Sequence, residues 1–260
     1  MDREVIERPE AARLTSIPKD FHSGAVAVFD RQFWSYAESV NVRKKFRSAS
    51  VIKLLIAIEY LRHAKYEKSP ATLGRLRDML ALSHDGHASD FWRRIGRQAA
   101  LPGLKSLMGL KDISLDPTHD TPWWGYTIVS AYDIVQIYRY LEDQMHIGWR
   151  VWIRAAMASA PTIAADGFDQ SFGIPDAFQG KWPIKQGWMG KSKLSDLPKP
   201  PPRDVDFVHR TLHTTGLVGP ANRNIVVVLT VHKDTTGSVT AAGLVTKLTR
   251  SLTVPGAIRR

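Results

Sequence analysis

The chain has 260 residues, 43% hydrophobic and 23% charged, enough apolar material for a substantial core in one large domain or two intertwined ones, and disorder is not expected. It contains no cysteine, which excludes disulfides, thiolate metal sites and thiol catalysis. The formal net charge of +11 suits an anionic partner, yet the basic clusters ("VRKK", "HIGWRVWIR", the terminal "IRR") are short and lack a recognition motif, so nucleic acid is not expected.

The N-terminal "MDREVIERPEAARL" carries both signs of charge and no apolar h-region. The expected compartment is the cytoplasm if the chain is complete as given, and outside it if a signal was removed. Next, "GAVAVFD" and "FWSYAES" read as a β-hairpin turning at Arg31 and Gln32. After "VRKKFR" the period changes: Val51, Leu54, Leu55, Ile58 and Leu61 recur at spacings of three and four, predicting a central helix with one apolar stripe.

From Leu73 to about Met157 helices dominate, in "LGRLRDMLALS", "ASDFWRRIGRQAAL", "SAYDIVQIYRYLEDQM" and "HIGWRVWIRAAMA", with loops at "SLDPTHDTPWWG" and "APTIAADGFDQ". Strand patterns return after Lys181 in "WPIKQGW", "DFVHRTLHTTGLVG" and "NIVVVLTVHK". A proline-rich surface loop, "LPKPPPRD", interrupts them, and an amphipathic helix "AAGLVTKLTRSL" closes the chain. The longest apolar runs, "VIKLLIAI" and "NIVVVLTV", fall well short of a membrane span. The order predicts an α/β fold of one domain with two lobes: an α/β lobe of about residues 1–53 and 178–260, and an inserted all-helical lobe of about 54–177. A cleft is expected between them.

Ser50 opens the apolar helical run and Lys53 follows three residues later. On one helix their Cβ atoms lie about 5–6 Å apart, close enough for an amine to take the hydroxyl proton. Taken alone, the pair fits an N-cap serine followed by a snorkelling lysine better. A second such spacing, Ser16 to Lys19 in "SIPK", contains Pro18 and opens no helix. Further along, "LSHDGHASDFWRRIG" places Ser83, His84 and Asp85 just before a helix, and "WPIKQGWMG" places Lys185, Gln186, Gly187 and Trp188 on a strand.

The series Ser50-x-x-Lys53, Ser83-His84-Asp85, Lys185-Gln186-Gly187 resembles the Ser-x-x-Lys, Ser-Asp-Asn and Lys-Thr-Gly motifs of class A β-lactamases and penicillin-binding proteins, in order and in element type. The resemblance runs from "GAVAVFD" to the C-terminal helix and includes "TIVSAYDIVQIYRYL", similar to the loop and helix that follow the omega loop. It implies an antiparallel sheet flanked by helices plus a helical lobe, no cofactor and no metal. It implies Ser50 as nucleophile, Lys53 as its base, Ser83 as proton relay, and Lys185 as a tuner of Ser83 or binder of a substrate carboxylate. The charge of Lys185 is expected to hold Lys53 neutral. Asp85, Gln186, Gly187 and Trp188 would contact substrate, with the backbone N–H groups of Ser50 and Trp188 as the oxyanion hole.

Two departures stand out. Asp85 replaces the asparagine whose amide donates to substrate; an ionised carboxylate only accepts, for example from Lys53. Gln186 replaces a threonine hydroxyl, though its amide still donates. No glutamate marks an omega loop: Glu142, the single glutamate between the second and third motifs, falls in a helix. The titratable residues of "SLDPTHDTPWW" are Asp116, His119 and Asp120, which also suit a polar loop with Asx turns. Fast β-lactam hydrolysis is therefore not expected. His84 and His87 lack a third ligand at a zinc spacing. Trp123, Trp124 and Trp188 suit a cleft wall or core packing. The expected function is a serine hydrolase acting through an acyl-serine on a peptide, amide, ester or β-lactam carbonyl, with D-amino-acid peptides among its candidate substrates. The alternative is a degenerate member that binds a ligand or anionic partner without turnover.

Overall fold

In the computed structural model, which describes residues 14–115, 123–192 and 204–260, the chain opens with a hairpin of β1 (Phe21–Asp30) and β2 (Ser35–Val40). The second strand starts two residues later than its pattern suggests, because Trp34 turns the chain at φ 52° and leaves Phe33 exposed. Next come β3 (Lys45–Arg47), α1 (Lys53–Arg62), α2 (Pro70–Ala81), α3 (Asp85–Arg94) and α4 (Leu101–Met108). They are followed by β4 (Ile128–Ser130), α5 (Ala131–Asp143), α6 (Ile147–Ala158) and α7 (Ile174–Ala177). The remainder is β5 (Ile184–Met189), β6 (Thr211–Val218), β7 (Asn224–His232) and α8 (Ser238–Ser251).

The main sheet is antiparallel, in the order β2-β1-β7-β6-β5. Its centre is the pairing of β1 with β7, so segments from opposite ends of the chain meet there. Both faces of those strands are covered, which is why each reads as a nearly unbroken apolar run. Ala25, Ala27, Phe29, Val227, Leu229 and Val231 pack on the cluster built around α1 and α5. Val26, Val28, Val226 and Val228 face Ala241, Val245 and Leu248 of α8. Strand alternation alone separates the two clusters.

α1 departs from its expected single stripe: every residue from Lys53 to Leu61 is buried, so the helix is enclosed on all sides. Glu59, the acidic residue in that stretch, is paired with Arg62 and His63. β3 and β4 form a separate two-stranded ribbon that three-residue segments could not announce by periodicity. α5 starts where its capping box sits: Ser130 accepts from the Asp133 N–H, and the Asp133 carboxylate accepts from the Ser130 N–H. The "LPKPPPRD" loop lies mostly outside the described residues. Among the described residues no helix is long and apolar enough to cross a membrane.

Candidate active site

The ribbon strand β3 delivers the chain into a tight 3-10 turn over Ala49–Ile52, and α1 begins only at Lys53. Ser50 is therefore not a helix cap: Ser48 and Ile52 occupy the cap positions of the two helical pieces, and neither makes a side-chain cap. Ala49 enters the turn with φ 46°, a conformation unfavourable for a side chain with a Cβ and held here by the surroundings. The Ser48 N–H donates to Thr127 O at 2.8 Å, tying the turn to the chain just before β4. In a 3-10 turn residues three apart eclipse, which puts Ser50 and Lys53 on the same side of the chain.

The edge strand β5 closes on the same turn. Gly187 makes that approach feasible: a Cβ there would lie 3.0 Å from Val51 Cγ2 and 3.2 Å from both Ser48 O and Val51 N. Gly187→Ala is expected to push the Ser50 turn outward by a few tenths of an ångström and to lower the melting temperature by a few degrees. Thermal unfolding of the native protein and the variant checks this. An unaltered melting temperature contradicts the close fit.

Three buried side chains from three elements meet behind the turn. Lys53 Nζ donates to Ser83 O at 2.6 Å, to Ser83 Oγ at 3.1 Å and to Asp85 Oδ1 at 2.6 Å. Lys185 Nζ, on β5, donates to the same Ser83 Oγ at 2.9 Å and to Gln186 O at 3.1 Å. Ser83 sits at φ 56°, in the bend between α2 and α3, which turns its hydroxyl between the two amines. Lys185 is 1% exposed, so the solvent-facing role that a strand lysine ordinarily has does not apply.

Burial pulls the Lys53 ammonium down to about 8, with Asp85 opposing. Burial, and then the charge of Lys53, push Lys185 well below the usual lysine range. Desolvation is therefore the main cause that lowers Lys53, where the charge of Lys185 was expected to act. Lys53 has a carboxylate and a carbonyl in contact, whereas Lys185 touches a hydroxyl and a carbonyl.

Ser50 opens onto a cavity of about 730 Å³ whose walls include Asp85, Trp92, Trp123, Trp124, Tyr126, Asp166 and Trp188. Trp123, Trp124 and Trp188 are thus cleft-wall residues. Trp124 Nε1 donates to Ser89 Oγ at 3.1 Å, and its ring lies 4.5 Å from Lys53 Nζ. Asp85, at the first position of α3 and 69% exposed, faces this space. Gln186 does not line it: its amide Nε2 donates to Gln170 O and Phe172 O, so the side chain braces the chain before α7. That departs from the expected substrate contact, because the amide is taken up by the carbonyls of Gln170 and Phe172.

Asp166 was not legible as a site residue. Its Oδ1 accepts from the Phe168 N–H at 3.0 Å and its Oδ2 from Trp188 Nε1 at 2.9 Å. Its local signal, an Asp-Gly in a loop, announces only a turn. Glu142, by contrast, is buried on α5 and paired with Arg31 and Arg154. Asp116, His119 and Asp120 lie outside the described residues. His84 caps α3 by accepting from the His87 N–H at 3.2 Å, and the two rings stack at 3.9 Å. Among the described residues, the group with metal-ligand geometry is His22, Asp206 and His209, whose ligand atoms lie within 4.8 Å of one another; none of them lines the cleft.

No family model matches the chain. Over 241 residues it is 31% identical to proteins named "Putative lipoprotein LppW" from Mycobacterium tuberculosis and Mycobacterium bovis, covering 90% of this chain and 70% of theirs. Among solved structures, an ancestral class A β-lactamase superposes with a TM-score of 0.66 at 15% identity, covering 90% of this chain and 94% of that one. A mutant of PBP-A in an acyl-enzyme complex with penicillin G gives 0.65 at 13% identity, covering 88% of each. A class A β-lactamase from Bacteroides cellulosilyticus gives 0.63 at 11% identity, over 90% of this chain and 91% of that one. The α/β architecture, the antiparallel sheet order and these superpositions agree: the chain belongs to the LppW family and has the serine β-lactamase and penicillin-binding-protein fold.

Proposed function

We propose that the protein is a serine hydrolase acting through an acyl-serine intermediate on an amide, ester, peptide or β-lactam carbonyl. The observation that carries the reading is the Ser83 hydroxyl, held between the amines of Lys53 and Lys185 behind a cleft that opens at Ser50. In this reading Ser50 Oγ attacks the carbonyl carbon as its proton passes to neutral Lys53 Nζ. The backbone N–H groups of Ser50 and Trp188 hold the oxyanion. The carbon–nitrogen or carbon–oxygen bond then breaks, and the proton on Lys53 returns through Ser83 to the leaving atom. Water hydrolyses the ester in the second half. The chain works as one two-lobed domain, the cleft lying between the sheet and the helices. The lipoprotein name of its mycobacterial relatives supports an exported protein, and the PBP-A complex with penicillin G supports a small-molecule or peptide acyl donor.

The pH dependence tests the base. Lys53 acts only when neutral, so with its pKa near 8 the acylation rate by a p-nitrophenyl ester rises about tenfold per unit below pH 8 and levels off above it. A rate that is flat through this range removes Lys53 as the base. The second reading, a scaffold that binds without turnover, is favoured by Gln186 being turned out of the cleft and by Asp85 offering no amide. It predicts ligand binding with no covalent adduct at any pH.

A further inference from the structure

We infer that the cleft selects substrates bearing a cationic nitrogen, and that Asp166 beside the Trp188 indole receives it. The inference rests on the acyl-serine reading for turnover, and on the cleft alone for binding.

The donor side chains of Lys185 and Gln186 on β5 are engaged within the fold. Lys185 Nζ is buried and already donates to Ser83 Oγ and Gln186 O, while the Gln186 amide is turned to Gln170 O and Phe172 O. The carboxylates, in contrast, face the cleft. Asp85 is committed to Lys53, but among the described residues Asp166 accepts two hydrogen bonds, from the Phe168 N–H and Trp188 Nε1. A carboxylate has about four acceptor positions, so about two remain for a ligand. The Trp188 indole that orients Asp166 is itself stacked on Phe168, with centroids 4.9 Å apart and planes 13° from parallel. A fixed carboxylate next to a fixed aromatic face is the pairing that binds ammonium groups, by charge and by the ring quadrupole together.

The cleft also contains cations. Arg93 and Arg97 line it from α3 and the turn that follows, and Arg93 is tied to Asp90 at 3.1 Å. Asp85 Oδ1 lies 2.6 Å from Lys53 Nζ, and Asp166 is held by Trp188, on the same strand as Lys185, whereas the arginines come from α3 and the turn after it. The ammonium is therefore placed near the reacting carbonyl, at the Asp166 end.

Tryptophan fluorescence and calorimetry with benzylammonium, benzyl alcohol and benzoate on the whole chain test the inference directly. Benzylammonium is expected to bind at least tenfold more tightly than benzoate. Asp166→Asn should bring benzylammonium to within about twofold of benzyl alcohol, and Asp166→Lys should reverse the order in favour of benzoate. Benzoate binding as tightly as benzylammonium, or an unchanged order in folded Asp166→Lys, overturns it. In parallel, the p-nitrophenyl ester of glycine should exceed that of N-acetylglycine in kcat/KM by about tenfold, the ratio collapsing in Asp166→Asn. Loss of all ester turnover removes the acyl-serine reading and leaves the binding order to decide the cation site. Turnover without the ratio removes the cation site alone.

Discussion

Lys53→Met is expected to lower the acylation rate about a thousandfold while leaving the fold intact. General-base assistance is worth roughly 10²–10⁴ in rate, and Lys53 is the amine on the same side of the 3-10 turn as Ser50. Methionine has nearly the same length and fills the same space among Trp124, Ser83 and Asp85. The substitution leaves Asp85 without its ammonium, but that carboxylate is 69% exposed and water replaces the partner. Stability should therefore change by about 1 kcal/mol or less, the lost ion pair being offset by relief from burying a charge. The rise in rate through pH 8 should vanish with the lysine. Second-order labelling rates of native protein and variant, with unfolding midpoints alongside, check both halves. A variant that acylates within tenfold of the native rate contradicts the assignment.

Lys185→Met is expected to move stability and activity in opposite directions. Lys185 is enclosed and, among the described residues, contacts no carboxylate: its Nζ bonds to Ser83 Oγ and Gln186 O. Replacing a poorly compensated buried cation with an apolar chain commonly stabilises by about 1–4 kcal/mol. The sign with pH follows from the lowered pKa. Below the folded-state value the full penalty of burying the charge is present, and it disappears as pH approaches the ordinary lysine value of about 10.4. The gain from methionine should thus be larger at pH 7 than at pH 10. Acylation should fall about a hundredfold, because Ser83 loses one of the two groups that orient its hydroxyl. Denaturant midpoints at pH 7 and 10, with labelling rates, measure this. A less stable Lys185→Met at pH 7 would mean that the two hydrogen bonds outweigh desolvation.

Much of this arrangement was legible in the sequence because chemistry and periodicity coincide at the same places. The Ser50–Lys53 spacing falls where a helical period begins, Ser83 falls at the bend before another helix, and Lys185 falls in a β run. The central strands β1 and β7 were visible as apolar runs because both of their faces are covered. What stayed hidden depends on tertiary placement. Whether Ser50 caps a helix or sits in a 3-10 turn is decided by the packing of β5 on that turn, through Gly187. Which face Gln186 takes is set by strand register, and the sequence pattern leaves it open. Asp166 is brought to the cleft by the bracing of Gln170 and Phe172, a contact between segments 14 to 16 residues apart that no local pattern encodes. The lowering of Lys53 also comes from tertiary placement, because burial acts on it where the charge of Lys185 was expected to.

The most direct measurement is the intact mass of native protein and Ser50→Ala after incubation with a fluorescent penicillin and, separately, with an activated ester. The account predicts one adduct on the native chain, equal in mass to a single acyl group and mapping to the Ser50 peptide, and none on Ser50→Ala. With the ester, it predicts an adduct or mutant-sensitive turnover. Equal labelling of both proteins, or neither adduct nor Ser50-dependent turnover with either reagent, would contradict an acyl-serine mechanism and leave the cleft as a binding site.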